Sequence, residues 1–486
     1  MNSSDILILF MAIPLAGSVI LALAGTRRLA PELNIACSAA AFGASVCLAV
    51  EYCAKGPMIS LGHFFFVDAF NVYLSVLTAF VAMTTAVFSR KYMRHERERG
   101  HVGLAAMRYY HAMYQLFIFS MLLALMSNNI GILWIATELA TLATVLLVSL
   151  YRTPTAIEAA WKYFILCGVG IALALFGTVL VYFAAEKVLG PGGEALLWTN
   201  LDDVSDKLEP TILSLAFVFL MVGYGTKVGL APLHNWLPDA HSEGPTPISA
   251  LLSGLLLNIA LYSLVRFKTL VDGSTGAAFA GNMMMAFGII SILVAGFSIL
   301  RQRDIKRMFA YSSIEHMGIA TFGFGLGGPL GTFAALLHLL VHSLTKSAVF
   351  FTAGHAVLMN GSQDMGRIRG LFKGDPVVGW SLMLGVLALA GMPPFGIFTS
   401  EFLILAAAVQ QAPLCAPFLA LGLVVAFAGL IKALQPMVSG EVPDYQKPIS
   451  AAHLPAIVHL ALVLILGLYI PEFLDRWFNT AVEFLK

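Results

Sequence analysis

Apolar runs of about twenty residues alternate with short polar turns along nearly the whole chain, and about 20 residues is the length a helix needs to cross the hydrocarbon core of a bilayer. Fourteen such runs occur, centred near residues 15, 43, 78, 118, 140, 173, 220, 256, 288, 316, 342, 395, 424 and 461. The seventh and twelfth carry breaks. The stretch from Phe217 to Gly225 is followed by Lys227 and then by Gly229 and Pro232, and the twelfth run is interrupted by Gly391, Pro393, Pro394 and Gly396 before Glu401. Two interrupted spans in corresponding positions of two halves are the sequence sign of a transport fold built from internal repeats. The expected architecture is an all-α polytopic membrane protein of about fourteen transmembrane helices.

Composition agrees. The 486 residues are 59% hydrophobic and only 11% charged, whereas a soluble domain typically carries about a quarter charged residues, so a water-soluble globule is excluded. The run from Ile6 to Ala24 is preceded by Asp5 and no basic residue; lacking the positive segment of a signal peptide, it reads as a retained first span. Residues 186–210 form the one sizeable hydrophilic connection before the C-terminal third, and no soluble domain is expected there. Cys37, Cys47, Cys53, Cys167 and Cys415 are scattered without a C-x-x-C spacing. Iron–sulfur ligation and disulfide frameworks need clustered or paired thiols, so these cysteines are expected to pack as small hydrophobes, and no cofactor or metal is expected.

Basic residues set the orientation, because cytoplasmic loops carry the excess of lysine and arginine. With both termini outside, inward loops hold seventeen: Arg27 and Arg28, six between residues 90 and 108, Arg152, four between 301 and 307, three between 367 and 373, and Lys447. Outward segments hold seven, namely Lys55, Lys187, Lys207, Arg266, Lys268, Arg476 and Lys486. Four of the 28 basic residues belong to no loop: Lys162, Lys227, Lys346 and Lys432. Lys162 follows Glu158 by four residues, the spacing of an ordinary helical ion pair. Lys432 lies near a span end, where snorkelling to the interface is the favoured reading.

The remaining charges sit where charge is costly. Ionisable groups inside a bilayer cost at least ~2.5–3.5 kcal/mol on insertion scales and usually mark an ion or proton pathway. Glu138 stands mid-span with no charge for eight residues on either side; unpaired it would be driven neutral, and a nearby lysine would hold it ionised. If Lys227 is that lysine, the pair can be closed and neutralised or opened and proton-accepting, as a switch requires; a static structural pair is the alternative. His234, close to the first break, is a relay candidate because histidine titrates near neutral pH. Asp239, His241 and Glu243 lie farther toward the cytoplasmic face, where solvation competes. His338, His342 and Lys346 recur at four-residue steps and form one stripe on a helix. Two histidines at that spacing can bind zinc, but the glutamate of H-E-x-x-H is missing and the lysine opposes a cation. Glu315, His316 and finally Glu401 complete a polar file expected to run parallel to the membrane plane. A formal G-x-G-x-x-G at Gly323, Gly325 and Gly328 has no preceding strand, so close helix packing explains it better than dinucleotide binding.

Several long motifs occur in a familiar order: "WIATELATLATVLLVSLYR", "KVGLAPLHNWLPDAHSEGPTPISALLSG", "MFAYSSIEHMG", "HLLVHSLTKS" and "AGMPPFGIFTSEF". Together they resemble the antiporter-like subunits of respiratory complex I and membrane-bound hydrogenases. The wording is most similar to component F of hydrogenase-4 and formate hydrogenlyase type complexes. The resemblance implies two inverted five-helix repeats, at residues 109–268 and 276–434, each containing a broken helix, after an N-terminal three-helix region (1–108) and before a C-terminal fourteenth helix (435–486). It implies that Glu138 and Lys227 are the family's glutamate–lysine pair and that Glu401 is the terminal ionisable residue. One departure is Asn258, where the complex I subunit of similar length has a central lysine. The long lateral helix of the family's largest subunit is not expected after the fourteenth span.

The expected function is translocation of protons or sodium ions across the cytoplasmic (inner) membrane of a bacterium or archaeon, driven by other membrane subunits and a peripheral redox arm of hydrogenase or dehydrogenase subunits. The subunit itself is expected to be non-catalytic and to contact the lipid bilayer but no nucleic acid. The proton-transfer residues are expected to be Glu138, Lys227, His234, His316, His338, His342, Lys346 and Glu401. The alternatives are a structural anchor that has lost transport, motivated by Asn258, and a subunit of a multisubunit cation/proton antiporter or inorganic-carbon uptake complex.

Overall fold

The computed structural model describes residues 3–442 and 452–485; Lys447 and Lys486, used above to orient the chain, lie outside them. The first helices are α1 (Ser3–Ala24), α2 (Ala30–Lys55), α3 (Ala69–Glu98), α4 (Leu104–Met126), α5 (Ile130–Val148) and α6 (Pro154–Leu189). The long connection folds around a short α7 (Trp198–Asp203). The first broken span is α8 (Pro210–Val228) with α9 (Trp236–Glu243). It is followed by α10 (Thr246–Leu251), a π-helical turn (Leu252–Leu256) and α11 (Leu257–Thr275). Next come α12 (Ala277–Ile299), α13 (Ile305–Leu326), α14 (Gly328–Asn360) and a short α15 (Leu371–Gly374). The second broken span is α16 (Pro376–Leu389) with α17 (Gly396–Gln411), and α18 (Ala416–Val438), α19 (Leu454–Leu468) and α20 (Glu472–Phe484) close the chain.

Many helix starts follow from their capping residues. Asp68 and Asn71 form a reciprocal capping box on α3, Asn129 accepts from Gly131 and Ile132 at α5, and Asp304 accepts from the Arg307 amide at α13. Each satisfies amides that have no partner inside the helix.

Eleven helices among the described residues are long and apolar enough to cross a membrane, or twelve when α19 and α20, which meet at a 78° bend, count as one span. The sequence pattern leads to fourteen. The difference has a physical source: α16 and α17, of 14 and 16 residues, are divided by the glycine–proline segment, and α13 carries Lys306, Arg307 and Glu315 among its 22 residues. The fold is also not purely helical. Met58–Ser60 (β1) and Phe65–Val67 (β2) form a two-stranded antiparallel ribbon, with Met58 opposite Val67, around a turn in which Leu61, Gly62 and His63 have positive φ.

Burial identifies the centre. The most apolar stretch of the span from Thr246 to Thr275 is buried throughout, against 28% for α2 and 33% for α18, so α10 and α11 are enclosed by protein while α2 and α18 face outward. Apolar helices do not gain hydrophobic energy by meeting in lipid and associate through close packing of small residues. A Cβ on Gly223 of α8 would lie 2.6 Å from the Gly170 carbonyl oxygen of α6, and one on Gly325 of α13 would lie 2.8 Å from that of Gly281 on α12. Gly325, the middle glycine of the formal G-x-G-x-x-G, is thus a helix-packing contact.

Two basic residues assigned to outward segments prove to be buried. Arg266 and Lys268 lie on α11 at 2% and 7% exposure. Arg266 pairs with the fully buried Asp68, and its guanidinium lies 4.5–5.8 Å from the ring centroids of Trp198, Tyr262, Phe484, Phe70 and Phe66. Lys268 pairs with Asp272. Near a span end the pattern cannot separate a charge at the interface from one folded inward.

Candidate functional site at two helix breaks

At the first break, α8 ends in Gly229, whose φ of 82° suits a residue without Cβ. Its amide and that of Leu230 return to the Gly225 and Thr226 carbonyls. Irregular backbone at membrane depth must find partners inside the protein. The Trp236 indole N–H donates to the Thr226 oxygen at 2.8 Å, the Ala231 amide donates to Ser291 Oγ at 2.9 Å, and Trp236 stacks on Tyr163 at 4.6 Å. The break is therefore a built joint.

Lys227 lies in the last turn of α8, where free carbonyls make the helix end negative. Its amine has no exposed surface, and Nζ stands 3.3 Å from Glu138 Oε2 on α5, whose side chain is 20% exposed. On the same face of α5, Thr137, Thr141 and Thr144 are buried, and Thr144 shares a hydrogen bond with Tyr163 at 2.7 Å. His234 lies in the loop between α8 and α9, with a buried Nδ1 that has no partner and its ring edge toward Tyr311; no hydrogen bond joins it to the Glu138–Lys227 pair.

The second break gathers a larger cluster. The chain turns at Gly391, with φ of 65°, and a Cβ there would overlap the Glu401 carboxylate. The Leu389 carbonyl freed by the break accepts from His316 Nε2 at 3.1 Å. A carbonyl can only accept, so that nitrogen carries the proton. His316 Nδ1 lies 3.2 Å from His338 Nε2 and 3.8 Å from Glu401 Oε1, and His338 Nδ1 lies 2.9 Å from Ser400 Oγ. When His316 is neutral, its Nδ1 accepts from His338, which accepts from Ser400. When His316 takes a second proton the chain reverses: His316 donates to His338, His338 to Ser400, and Ser400 to the Ile397 carbonyl at 2.9 Å. The same distances thus accommodate both hydrogen-bonding directions.

His342 stands beside both rings, at centroid distances of 5.5 Å to His316 and 6.3 Å to His338, with neither nitrogen bonded. Lys346, one turn on, is fully buried, and its Nζ donates to the Phe309 carbonyl at 2.9 Å. Glu315 is buried with Oε2 unpartnered. Asn258 does not reach an ionisable group; its amide donates to Ser343 Oγ at 2.7 Å and to the Gly254 carbonyl at 3.2 Å. Close by in the chain, Ser253 on the π-helical turn bonds Ser313 on α13 at 2.7 Å. Among the described residues, no three histidine, cysteine or acidic side chains are placed to hold a metal ion.

Other features escape a sequence reading. His241, grouped above with solvated residues, is fully buried on α9, donating from Nδ1 to the Leu237 carbonyl at 2.8 Å and leaving Nε2 free. Lys306, counted as a loop residue, is 2% exposed and donates to the Ser242 carbonyl at 2.8 Å and the Gly244 carbonyl at 2.5 Å, closing the end of α9. Asp239 bridges Arg307 and Lys162, tying α9 to α13 and α6. Lys162 also pairs with Glu158 at 2.6 Å, the helical ion pair its spacing implies. Lys432 is exposed on α18.

Residues 127–427, which include both breaks, match the family described as NADH:quinone oxidoreductase/Mrp antiporter, transmembrane region. Over 473 residues the chain is 48% identical to the hydrogenase-4 component F homolog of Methylacidiphilum infernorum, covering 97% of this chain and 98% of that protein. The chain belongs to the NADH:quinone oxidoreductase/Mrp antiporter family. Its fold is shared with a chain of the membrane-bound sulfane sulfur reductase, an archaeal respiratory membrane complex, at a TM-score of 0.90 and 22% identity over 99% of this chain and 98% of that one. It is shared as well with a chain of the Mrp complex from Dietzia, at 0.86 and 19% identity over 100% and 98%. This member of the antiporter family is thus a multi-pass membrane subunit whose relatives work within multisubunit assemblies.

Proposed function

We propose that the chain translocates protons, or sodium ions, across the cytoplasmic membrane, driven by redox chemistry in partner subunits of a hydrogenase or complex I-like assembly. One observation carries the reading: each helix break bears buried or half-buried ionisable groups in contact, Glu138 with Lys227 at the first and His316, His338 and Glu401 at the second. Closed, the first pair holds its charges neutralised. Opened, Lys227 releases its proton into the file and Glu138 becomes free to accept one. Lys346, His342, His338 and His316 carry the charge on to Glu401, with His241 and the Ser253–Ser313 hydroxyls as further groups for the interval. His234, beside the first joint, serves as an entry relay. Carboxylate, amine and imidazole favour the proton, since a sodium site needs a cage of oxygens.

The proposed frame has fourteen spans, reached by adding α13 and the α16–α17 pair to the twelve. The repeats, residues 109–268 and 276–434, are inverted copies, and the support is positional: the fourth span of each is the broken one. The flanking regions are 1–108 and 435–486, with both termini outside.

A second reading, a membrane anchor that has lost transport, is favoured by Asn258, whose amide is engaged by Ser343 and a backbone carbonyl in place of a titrating group. Proton uptake by the reconstituted complex separates the two. Glu138→Gln is expected to abolish uptake while the complex still assembles; uptake equal in wild type and variant, or missing from both, favours the anchor.

A further inference from the structure

Away from both breaks, the turn between α1 and α2 and the neighbouring ends of α3 and α4 enclose a cavity of about 240 Å³. Its walls include Arg27 and Arg28 from the turn, Arg90, Arg94 and Arg97 from the end of α3, and His111 from α4. Among the described residues, no acidic side chain lines it. Glu32 on α2 engages Arg90 at 2.8 Å through one oxygen and keeps the other buried without a partner, and among the described residues no carboxylate pairs with the other four arginines. Converging like charges repel, and an anion between them relieves the repulsion. The planar guanidinium suits phosphate, which it can bind through two parallel hydrogen bonds.

His111 gives an independent sign of a ligand. It lines the cavity, is 1% exposed, and neither ring nitrogen has a hydrogen-bond partner among the described residues. A buried polar group left so forfeits the bonds it made to water, and an oxygen acceptor in the cavity would restore one. Leu104, which lines the cavity, is 55% exposed, and Leu23 and Leu29, which flank the lining residues Gly25 to Arg28 in the chain, are 80% and 72% exposed. Leucines so exposed beside an arginine cluster suit acyl chains below a charged headgroup. Basic pockets between membrane helices on the cytoplasmic side are suited to anionic lipid headgroups, and these loops fall on the side that the arginine excess marks as cytoplasmic.

We propose that this cavity binds the phosphate headgroup of an anionic phospholipid, with the arginines on its phosphate oxygens, His111 as a neutral donor and the acyl chains along Leu23, Leu29 and Leu104. The test is native mass spectrometry of the full-length chain in mild detergent, titrated with phosphatidylglycerol, phosphatidylcholine or inorganic phosphate. Phosphatidylglycerol is expected to be retained in preference to phosphatidylcholine. The double variant Arg94→Gln, Arg97→Gln, at exposed positions outside the ionisable file, is expected to weaken that binding about 25-fold, at about fivefold for each arginine. His111→Leu should weaken it as well, and if that variant fails to fold the arginine pair alone decides. Equal retention of the two lipids, or phosphatidylglycerol binding unchanged in the arginine variant, overturns the proposal. Displacement of phosphatidylglycerol by millimolar inorganic phosphate overturns the lipid assignment and leaves a free-anion site.

Discussion

Two ion pairs among the described residues are of opposite kind. Asp68 and Arg266 are 0% and 2% exposed and ringed by five aromatic side chains; an arginine does not give up its proton in a protein, so this pair cannot switch. Removing one partner of such a pair strands the other. Asp68→Asn is therefore expected to destabilise the protein by about 3–5 kcal/mol, read as a large fall in thermal stability, whereas an unchanged unfolding temperature would contradict the account. In the other pair the cation is a lysine, a residue type whose amine, unlike a guanidinium, can lose its proton, and Glu138 keeps 20% of its side chain exposed, as the proposed switch requires. Both were legible in the sequence because a lone charge in the middle of an apolar run has few places to go. Arg266, Lys306 and His241 were not, since each lies at the edge of a polar stretch where burial and solvation leave the same trace.

At the scale of elements, the glycine and proline positions located both joints, and the structure adds what holds them. Gly391 has a positive φ and leaves no room for a Cβ against Glu401. Gly391→Ala should cost about 1–2 kcal/mol for the left-handed backbone alone and displace the carboxylate, so proton transport is expected to fall more than thermal stability; equal transport in wild type and variant would argue against a role for the joint. Trp236 gives the Thr226 carbonyl, which also accepts from the Gly229 amide at 3.1 Å, a second donor. Trp236→Phe keeps a ring against Tyr163 and removes that donor, with an expected loss of about 0.5–1.5 kcal/mol for the one hydrogen bond, measurable by denaturant unfolding. That indole-to-carbonyl bond is invisible in the sequence because it depends on how far the chain turns between Gly229 and Trp236. The ribbon at Met58–Val67 was missed for a similar reason: two three-residue strands leave too little pattern to register.

For the whole molecule, apolar run length gave the membrane class, but by length and composition eleven or twelve helices among the described residues qualify as spans against the fourteen expected, since α16 and α17 are each too short and α13 is made polar by the groups it carries. The relatives belong to multisubunit membrane assemblies, so affinity purification of the chain from its native membrane is expected to bring hydrogenase or dehydrogenase subunits with it; recovery of the chain with none would remove the proposed driver. The most direct measurement of the central claim is proton pumping by the complete complex reconstituted in liposomes, comparing wild type with Lys227→Ala. The account predicts that the variant assembles in full and retains redox turnover in the partner subunits while its pumping falls to background. Pumping at the wild-type rate with Lys227 replaced would contradict it.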